Sequence, residues 1–224
     1  MNLFELAQIA QSASIILATL FGIYGFDAWR REHIGIRRIG LAEDILSLFY
    51  QARDAISDIR SPFGFSGEGS SREPAPGEME EHREALDSAY ILIERYKKHS
   101  ELFSKIGALR YRAMAQFGSD SEAPFQQLNE IQNKLFVAAH RMARLRTTSD
   151  WPHASQEQKQ RTAREIDDVY SIYYGTGGED DPISKLMNKA VSEAEEICRR
   201  IIDNKGTLFA LFNLKVGCSK RRLQ

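Results

Sequence analysis

The sequence is poor in the residues that build disulfide frameworks and structural metal centres. Its 224 residues include two cysteines, Cys198 and Cys218, which are too few for a disulfide-stapled fold. The five histidines are scattered along the chain, so none pairs with a second ligand at the close spacing of a zinc site. We expect no metal site and no cofactor, and the cysteine content fits a reducing, cytoplasmic setting.

The chain also lacks the common catalytic and nucleotide-binding motifs. It has no Gly-x-Ser-x-Gly sequence, and the glycine-rich residues 175–178 are followed by no Gly-Lys-Ser or Gly-Lys-Thr. Glu78 and His82 are four positions apart, but no Glu-x-x-His repeat completes a di-metal set. We therefore predict no catalytic residues. A hydrolase that uses residues 78–82 or 175–181 is the weakest of the alternatives.

Neither sign of charge is in excess. The 30 lysines and arginines face 31 aspartates and glutamates, which gives a net charge of −1. A general nucleic-acid-binding protein carries a basic excess that neutralises phosphates. We therefore expect no general binding of nucleic acid.

A long uncharged run near the start of the chain is the most informative stretch. Residues 9–26 contain no charged side chain and are mostly apolar. A helix over residues 9–29 would be about 31 Å long, and the hydrocarbon core of a membrane is about 30 Å thick. We predict a transmembrane anchor in residues 1–30. A cleaved signal peptide is the main alternative, but the residues before the run include Glu5 and no basic residue.

Basic residues follow the run directly, and no lysine or arginine precedes it. Four arginines fall within nine positions: Arg30, Arg31, Arg37 and Arg38. Positive charge collects on the cytoplasmic side of membrane helices. We expect a single-pass protein of the inner (plasma) membrane, with its N-terminus outside and its C-terminal body in the cytoplasm. The arginines either fix this topology alone or also bind anionic lipid.

Small side chains recur every four positions within the uncharged run, at Ala10, Ser14, Ala18 and Gly22. On a helix they form one stripe, where a second helix can approach closely. This pattern indicates self-association of the membrane helix, so we expect a homo-oligomer. A narrow pore assembled from several copies is an alternative.

Amphipathic helical patterns fill the rest of the chain, with no pair of alternating strands. The helices are expected at residues 39–60, 78–117, 124–148, 155–173 and 182–206. We predict an all-α fold in which the N-terminal transmembrane helix continues into a cytosolic bundle of four long helices plus one short helix. The bundle covers residues 31–214, and a basic C-terminal tail follows at residues 215–224.

Residues 61–77 interrupt the helical pattern with three prolines and four glycines. We predict a flexible surface loop there. Phe63 and Phe65 are its only large apolar residues; we favour local packing for them, with contact to a partner as the alternative. Two roles are also open for three tyrosines, Tyr170, Tyr173 and Tyr174. They either close the bundle with their hydroxyls in solvent or contact a partner.

Residues 29–65 resemble a group of uncharacterised bacterial proteins with an N-terminal anchor and cytosolic helices. The resemblance rests on TrpArgArgGluHisIleGly, on ArgArgIleGlyLeuAlaGluAspIleLeuSerLeuPheTyrGlnAlaArgAspAlaIle and on ArgSerProPheGlyPhe. In its layout the chain is also similar to membrane-anchored HEPN-type effectors of bacterial immunity, which implies a role in antiviral defence. The Arg-x-x-x-x-His motif of that family is absent, so the resemblance implies no ribonuclease activity.

The leading hypothesis from the sequence is a non-enzymatic membrane protein whose cytoplasmic bundle binds itself or a protein partner. The second hypothesis is an oligomeric effector that perturbs the membrane by forming a pore.

Overall fold

The computed structural model describes residues 3–148, 155–176, 178 and 180–203. Within these residues the chain forms helices and no strand, as the sequence predicts. The helices are α1 (Leu3–Ile59), α2 (Arg83–Lys98), α3 (Ser100–Phe117), α4 (Ala123–Thr148), α5 (Gln156–Tyr173) and α6 (Pro182–Ile202). Short 3-10 turns precede α2 and α4, at Glu80–His82 and Ser119–Glu122.

Two compact units divide the chain. One is formed by the described parts of Met1–Glu43 and Arg200–Gln224, and the other, called the body below, is Asp44–Arg199. Helix α1 passes through both with 57 residues and no break. The predicted anchor and the predicted helix at residues 39–60 are therefore parts of one helix.

The apolar stretch of α1 is exposed over its whole circumference. Phe21 and Tyr24 are 75% and 74% exposed, and the neighbouring isoleucines and leucines are more than half exposed. Among the described helices, α1 alone is long and apolar enough to cross a membrane, and none of that stretch is buried. The Thr19 hydroxyl donates to the Ile15 carbonyl at 2.8 Å. This polar group is thus satisfied inside the helix, as an apolar environment requires.

The predicted helix at residues 78–117 is two helices in the structure. His99 leaves the helical conformation, with φ −102° and ψ 6°, so that α2 ends at Lys98 and α3 begins at Ser100. Because the apolar spacing continues on both sides of this one-residue break, the sequence pattern predicts a single helix. The five described helices after α1 have 16 to 26 residues. The predicted division into four long helices and one short one is therefore not confirmed.

The core of the body lies between the second half of α1 and the helices that follow. Ile45, Phe49 and Ile56 are buried at the predicted helical spacing. The Phe49 ring meets that of Phe125 in α4 edge-on, with 5.2 Å between the ring centroids. The Tyr50 hydroxyl donates to Glu195 of α6 at 2.5 Å. These contacts show that α1 packs against both α4 and α6.

A buried arginine joins the end of α1 to the end of α5. Arg60 follows α1 directly, and its side chain is 2% exposed. Its guanidinium donates to the carbonyls of Ser171, Ile172 and Tyr174 at 2.8–2.9 Å. The last carbonyls of a helix have no partner within the helix. Arg60 supplies that partner for α5.

The same guanidinium is paired with a buried aspartate. Arg60 donates to both carboxylate oxygens of Asp181, at 2.7 and 2.9 Å. Asp181 also accepts the backbone N–H of Ser184 at 2.8 Å and that of Thr176 at 3.0 Å. Because Asp181 precedes Pro182, its bond to Ser184 caps the start of α6. One ion pair therefore holds the ends of α1, α5 and α6 together.

Replacing Arg60 should destabilise the body strongly. Arg60→Met leaves the Asp181 carboxylate buried without its partner, and we expect the free energy of unfolding to fall by about 3–5 kcal/mol. Urea unfolding of the full chain in mild detergent, followed by circular dichroism, measures this. Arg53 is the matched control, because its contact with Asp54 is at the surface and Arg53→Met should cost at most about 1 kcal/mol. Equal losses in the two variants would contradict this role of Arg60.

The stability of the body should fall in acid through Asp181. Burial alone would raise the pKa of Asp181, but the hydrogen bonds from Arg60, Ser184 and Thr176 outweigh it and hold this pKa below its usual value of 3.8. A carboxyl with a lowered pKa stabilises the fold at pH values above its unfolded pKa, and that contribution disappears as the pH falls below it. We expect the urea concentration at the midpoint of unfolding to decrease at pH values below about 4. This decrease should be smaller in Asp181→Asn. An identical pH dependence in both proteins would rule Asp181 out as the cause.

Candidate interaction surface

The connection between α1 and α2 is held against α2 by a buried arginine. Arg95 of α2 is 5% exposed. Its guanidinium donates to the carbonyls of Ser61 and Phe63, each at 2.7 Å, and to the Glu68 carboxylate at 2.6 Å. Glu68 accepts the backbone N–H of Phe65 at 3.2 Å. The hydrogen bond from Arg95 lowers the pKa of Glu68, so this carboxyl remains ionised.

The second half of this connection is bonded to α2 as well. The Glu94 carboxylate accepts the Gly69 N–H and the Ser71 hydroxyl, each at 2.8 Å. Gly69 has φ +86°, and a Cβ added there would lie 2.1 Å from the carbonyl oxygen of Asp87. Glycine is required at this position by both its conformation and its closeness to α2. The predicted flexible loop is therefore a segment with a specific set of contacts.

Phe63 and Phe65 are exposed on this fixed backbone. Their side chains are 82% and 83% exposed, so the local packing favoured from the sequence is wrong. The contacts that hold the segment reach its backbone and its polar side chains, and they leave the two rings uncovered. We call this pair the phenylalanine knob. A pair of exposed aromatic rings on a fixed backbone is typical of a binding surface.

The three tyrosines lie together at the end of α5, but they differ in exposure. Tyr173 is 2% exposed; its hydroxyl donates to the Ser88 carbonyl at 3.0 Å and accepts the Leu92 N–H at 3.2 Å. Burial raises the pKa of Tyr173 to about 12. This hydroxyl does not reach solvent, contrary to expectation. Tyr170 is 39% exposed and Tyr174 is partly buried, so Tyr170 has the most surface to offer a partner.

A groove between α4 and α5 is a second apolar surface of the body. It encloses about 330 Å³, and its apolar lining includes Val137, Val169 and Ile172. Val137 is 50% exposed, whereas Val169 is 2% exposed and forms part of the floor. Charged side chains line the groove as well: Glu130, Lys134, Arg141, Glu165 and Asp168. The groove thus combines an apolar floor with a charged edge.

Three of the carboxylates in the regions considered for hydrolysis, Glu78, Asp180 and Asp181, are engaged in ion pairs. Arg72 donates to both carboxylate oxygens of Glu78 and lowers the pKa of Glu78 to about 2. Asp181 is paired with Arg60, and Asp180 lies 2.8 Å from the Lys185 ammonium. In the described part of the chain no three His, Cys, Asp or Glu side chains form a group that could hold a metal ion.

The predicted membrane residues lie on α1. Arg30, Arg31 and Arg37 are exposed and Arg38 is partly buried. The small-residue stripe is exposed at Ser14, Ala18 and Gly22; the side chain of Ala10 lies outside the described residues. A Cβ added at Gly22 would meet no atom within 4 Å. The predicted basic tail, residues 215–224, and Cys218 within it also lie outside the described residues.

Two buried arginines hold the helix ends and this surface, and neither was predicted as a functional residue, although their positions carry a signal. Arg60 lies four residues after the buried Ile56, and Arg95 lies three residues after the buried Leu92. Arg95 therefore continues the buried stripe of α2, and Arg60 lies where the buried stripe of α1 would continue past the end of that helix. A charged side chain at such a position requires partners. Its partners come from other segments, and their identity is not readable from the pattern.

The chain matches no protein-family model, no curated protein and no solved structure. The resemblance to HEPN-type effectors stays a prediction.

The close approach at Gly69 gives a test of how the segment is held. Gly69→Ala places a methyl group against the backbone of α2, so we expect the segment to detach and residues 61–77 to exchange their amide hydrogens at least about tenfold faster. Gly67 is the matched control, since it has a similar φ of +90° but open space around its Cβ position. Hydrogen exchange measured by mass spectrometry compares the two variants. Equal acceleration of amide exchange in both variants would show that the backbone conformation of these glycines alone, and not the contact with Asp87, holds the segment.

Proposed function

We propose that this chain is a single-pass protein of the inner (plasma) membrane whose cytoplasmic helical bundle mediates self-association or partner binding without enzymatic chemistry. The observation that carries the proposal is the exposed apolar stretch of α1. A helix that is apolar on all sides is stable in a core or in a membrane, and this stretch is not buried in any core of the described chain. A membrane is the environment that fits it.

The arginines after this stretch support the orientation. Arg30, Arg31 and Arg37 are exposed on α1, where they can meet lipid head groups or the aqueous phase beside them. The Trp29 ring lies beside that of His33, with 5.7 Å between the centroids, and tryptophan is common at the level of the head groups. A body that follows such a cluster is cytoplasmic by the positive-inside rule.

The body supports a binding role. Its buried charged side chains, Arg60, Arg95 and Asp181, are all engaged in ion pairs that hold helix ends or a connecting segment. Its exposed apolar features include the phenylalanine knob and the groove between α4 and α5. Large apolar groups held at a surface stabilise complexes when they are covered.

Substitution in the small-residue stripe tests self-association in the membrane. A Cβ added at Gly22 would meet no atom within 4 Å, and we expect Gly22→Leu to change the surface that a second helix would contact without disturbing the fold. We expect its association constant in lipid nanodiscs or mild detergent, measured by native mass spectrometry, to fall at least about tenfold, which is about 1.4 kcal/mol.

The matched control is Ala13→Leu, which adds a similar side chain to the same stretch. Ala13 lies nine positions before Gly22, on the opposite side of the helix at about 100° per residue, and this variant should associate as the parent does. A monomeric parent protein would contradict self-association. An oligomer that also admits dye into vesicles would favour a pore over a purely binding role.

A further inference from the structure

Four arginines surround one exposed isoleucine on α1, shortly after the apolar stretch. Neighbours on a helix surface are three and four positions apart, and for Ile34 those positions hold Arg30, Arg31, Arg37 and Arg38. Ile34 itself is 46% exposed. We propose that these five residues, called the arginine face below, bind the phosphate of an anionic phospholipid in the cytoplasmic leaflet. This inference rests on the proposed function, because it requires α1 to cross the membrane.

The arginines are grouped on one side of the helix. At about 100° per residue, all four fall within about 120° of its circumference, with Ile34 near the middle. The number of basic residues beside a membrane helix sets its orientation, so topology alone requires no such grouping. Grouped guanidiniums attract a phosphate more strongly than scattered ones, because its oxygens accept several N–H groups at once.

The acids of this stretch leave the arginine face positive. Within the described residues, none of its three exposed arginines takes part in an ion pair. Glu32 lies about 160° around the helix from Ile34, on its other side. Asp27 is exposed on the same side as Ile34, seven positions earlier. Since Arg38 is partly buried, three exposed positive charges on this side face one negative charge.

The position of the arginine face along α1 places it beside the lipid head groups. Arg30 and Arg31 follow Trp29, which ends the predicted crossing, by at most about 3 Å along the axis. Arg37 lies about 12 Å beyond Trp29, whereas the head-group layer is about 5–7 Å thick on each side of a membrane. Side chains of a helix lean toward its N-terminus, which here is the membrane side. The Arg37 side chain therefore leans back toward the layer that Arg30 and Arg31 occupy.

The isoleucine at the centre distinguishes a phospholipid from a free anion. A free phosphate has no apolar part to cover Ile34, whereas a phospholipid also brings glycerol and acyl carbons that remove apolar surface from water. Anionic lipids give the cytoplasmic surface of a membrane a negative potential, which attracts basic segments beside a membrane helix. An anionic phospholipid thus fits both the charge of the arginine face and its apolar centre.

A carboxylate placed at the centre of the arginine face tests the proposal. In Ile34→Glu the new carboxylate lies within reach of the four arginines and competes with a lipid phosphate. The purified full chain in mild detergent is titrated with anionic phosphatidylglycerol or zwitterionic phosphatidylcholine, and native mass spectrometry measures the bound lipid. We expect the parent protein to bind phosphatidylglycerol at least about tenfold more tightly than phosphatidylcholine, and Ile34→Glu to weaken that binding at least about fivefold.

The matched control is Ile36→Glu. Ile36 is 62% exposed and lies about 160° around the helix from Ile34. The positions three and four residues from it, 32, 33, 39 and 40, hold no arginine. The control makes the same change of charge and removes the same apolar side chain, so its affinity for phosphatidylglycerol should fall less than about twofold.

Equal losses of affinity in the two variants would overturn the proposal. Equal affinity of the parent protein for the two lipids would overturn it as well, as would displacement of phosphatidylglycerol by inorganic phosphate at the same concentration. Any of these results in a protein that stays with membranes and self-associates leaves the proposed function standing. A protein that an alkaline carbonate wash releases from membranes would remove both.

Discussion

The arrangement of the helix ends in the body depends on the buried ion pair between Arg60 and Asp181. Removing two charges from water costs several kcal/mol per ion. That cost is offset here because the guanidinium meets three backbone carbonyls and both oxygens of the carboxylate. The carboxylate in turn accepts backbone N–H groups at the start of α6. Apolar packing alone tolerates sliding of one helix along another, whereas this network fits one placement of the three ends.

Arg95 uses the same chemistry for a different purpose. Like Arg60, it is a buried arginine that donates to main-chain carbonyls and to one carboxylate, Glu68. Arg60 fixes helix ends, while Arg95 fixes a segment rich in glycine and proline that would otherwise have little to hold it. The result is that Phe63 and Phe65 are displayed to solvent on a fixed backbone. The surface that supports a binding function is thus a direct product of the packing of α2.

Much of the fold follows from hydrophobic patterning. The apolar run in α1, the amphipathic helices and the absence of strands among the described residues all agree with the sequence pattern. The break at His99 was not predictable, because one residue changes conformation while the apolar spacing continues on both sides. The contacts of residues 61–77 were missed for another reason. They depend on partners in α2, and no local pattern encodes a partner.

The proposed self-association of α1 depends on the placement of this helix in a membrane. The most direct measurement is the intact mass of the protein that stays with bacterial membranes after an alkaline carbonate wash. We expect the chain in the membrane pellet with its apolar run, residues 9–26, intact. The same chain in the supernatant, or a pellet or supernatant species that has lost the apolar run by cleavage, would contradict it.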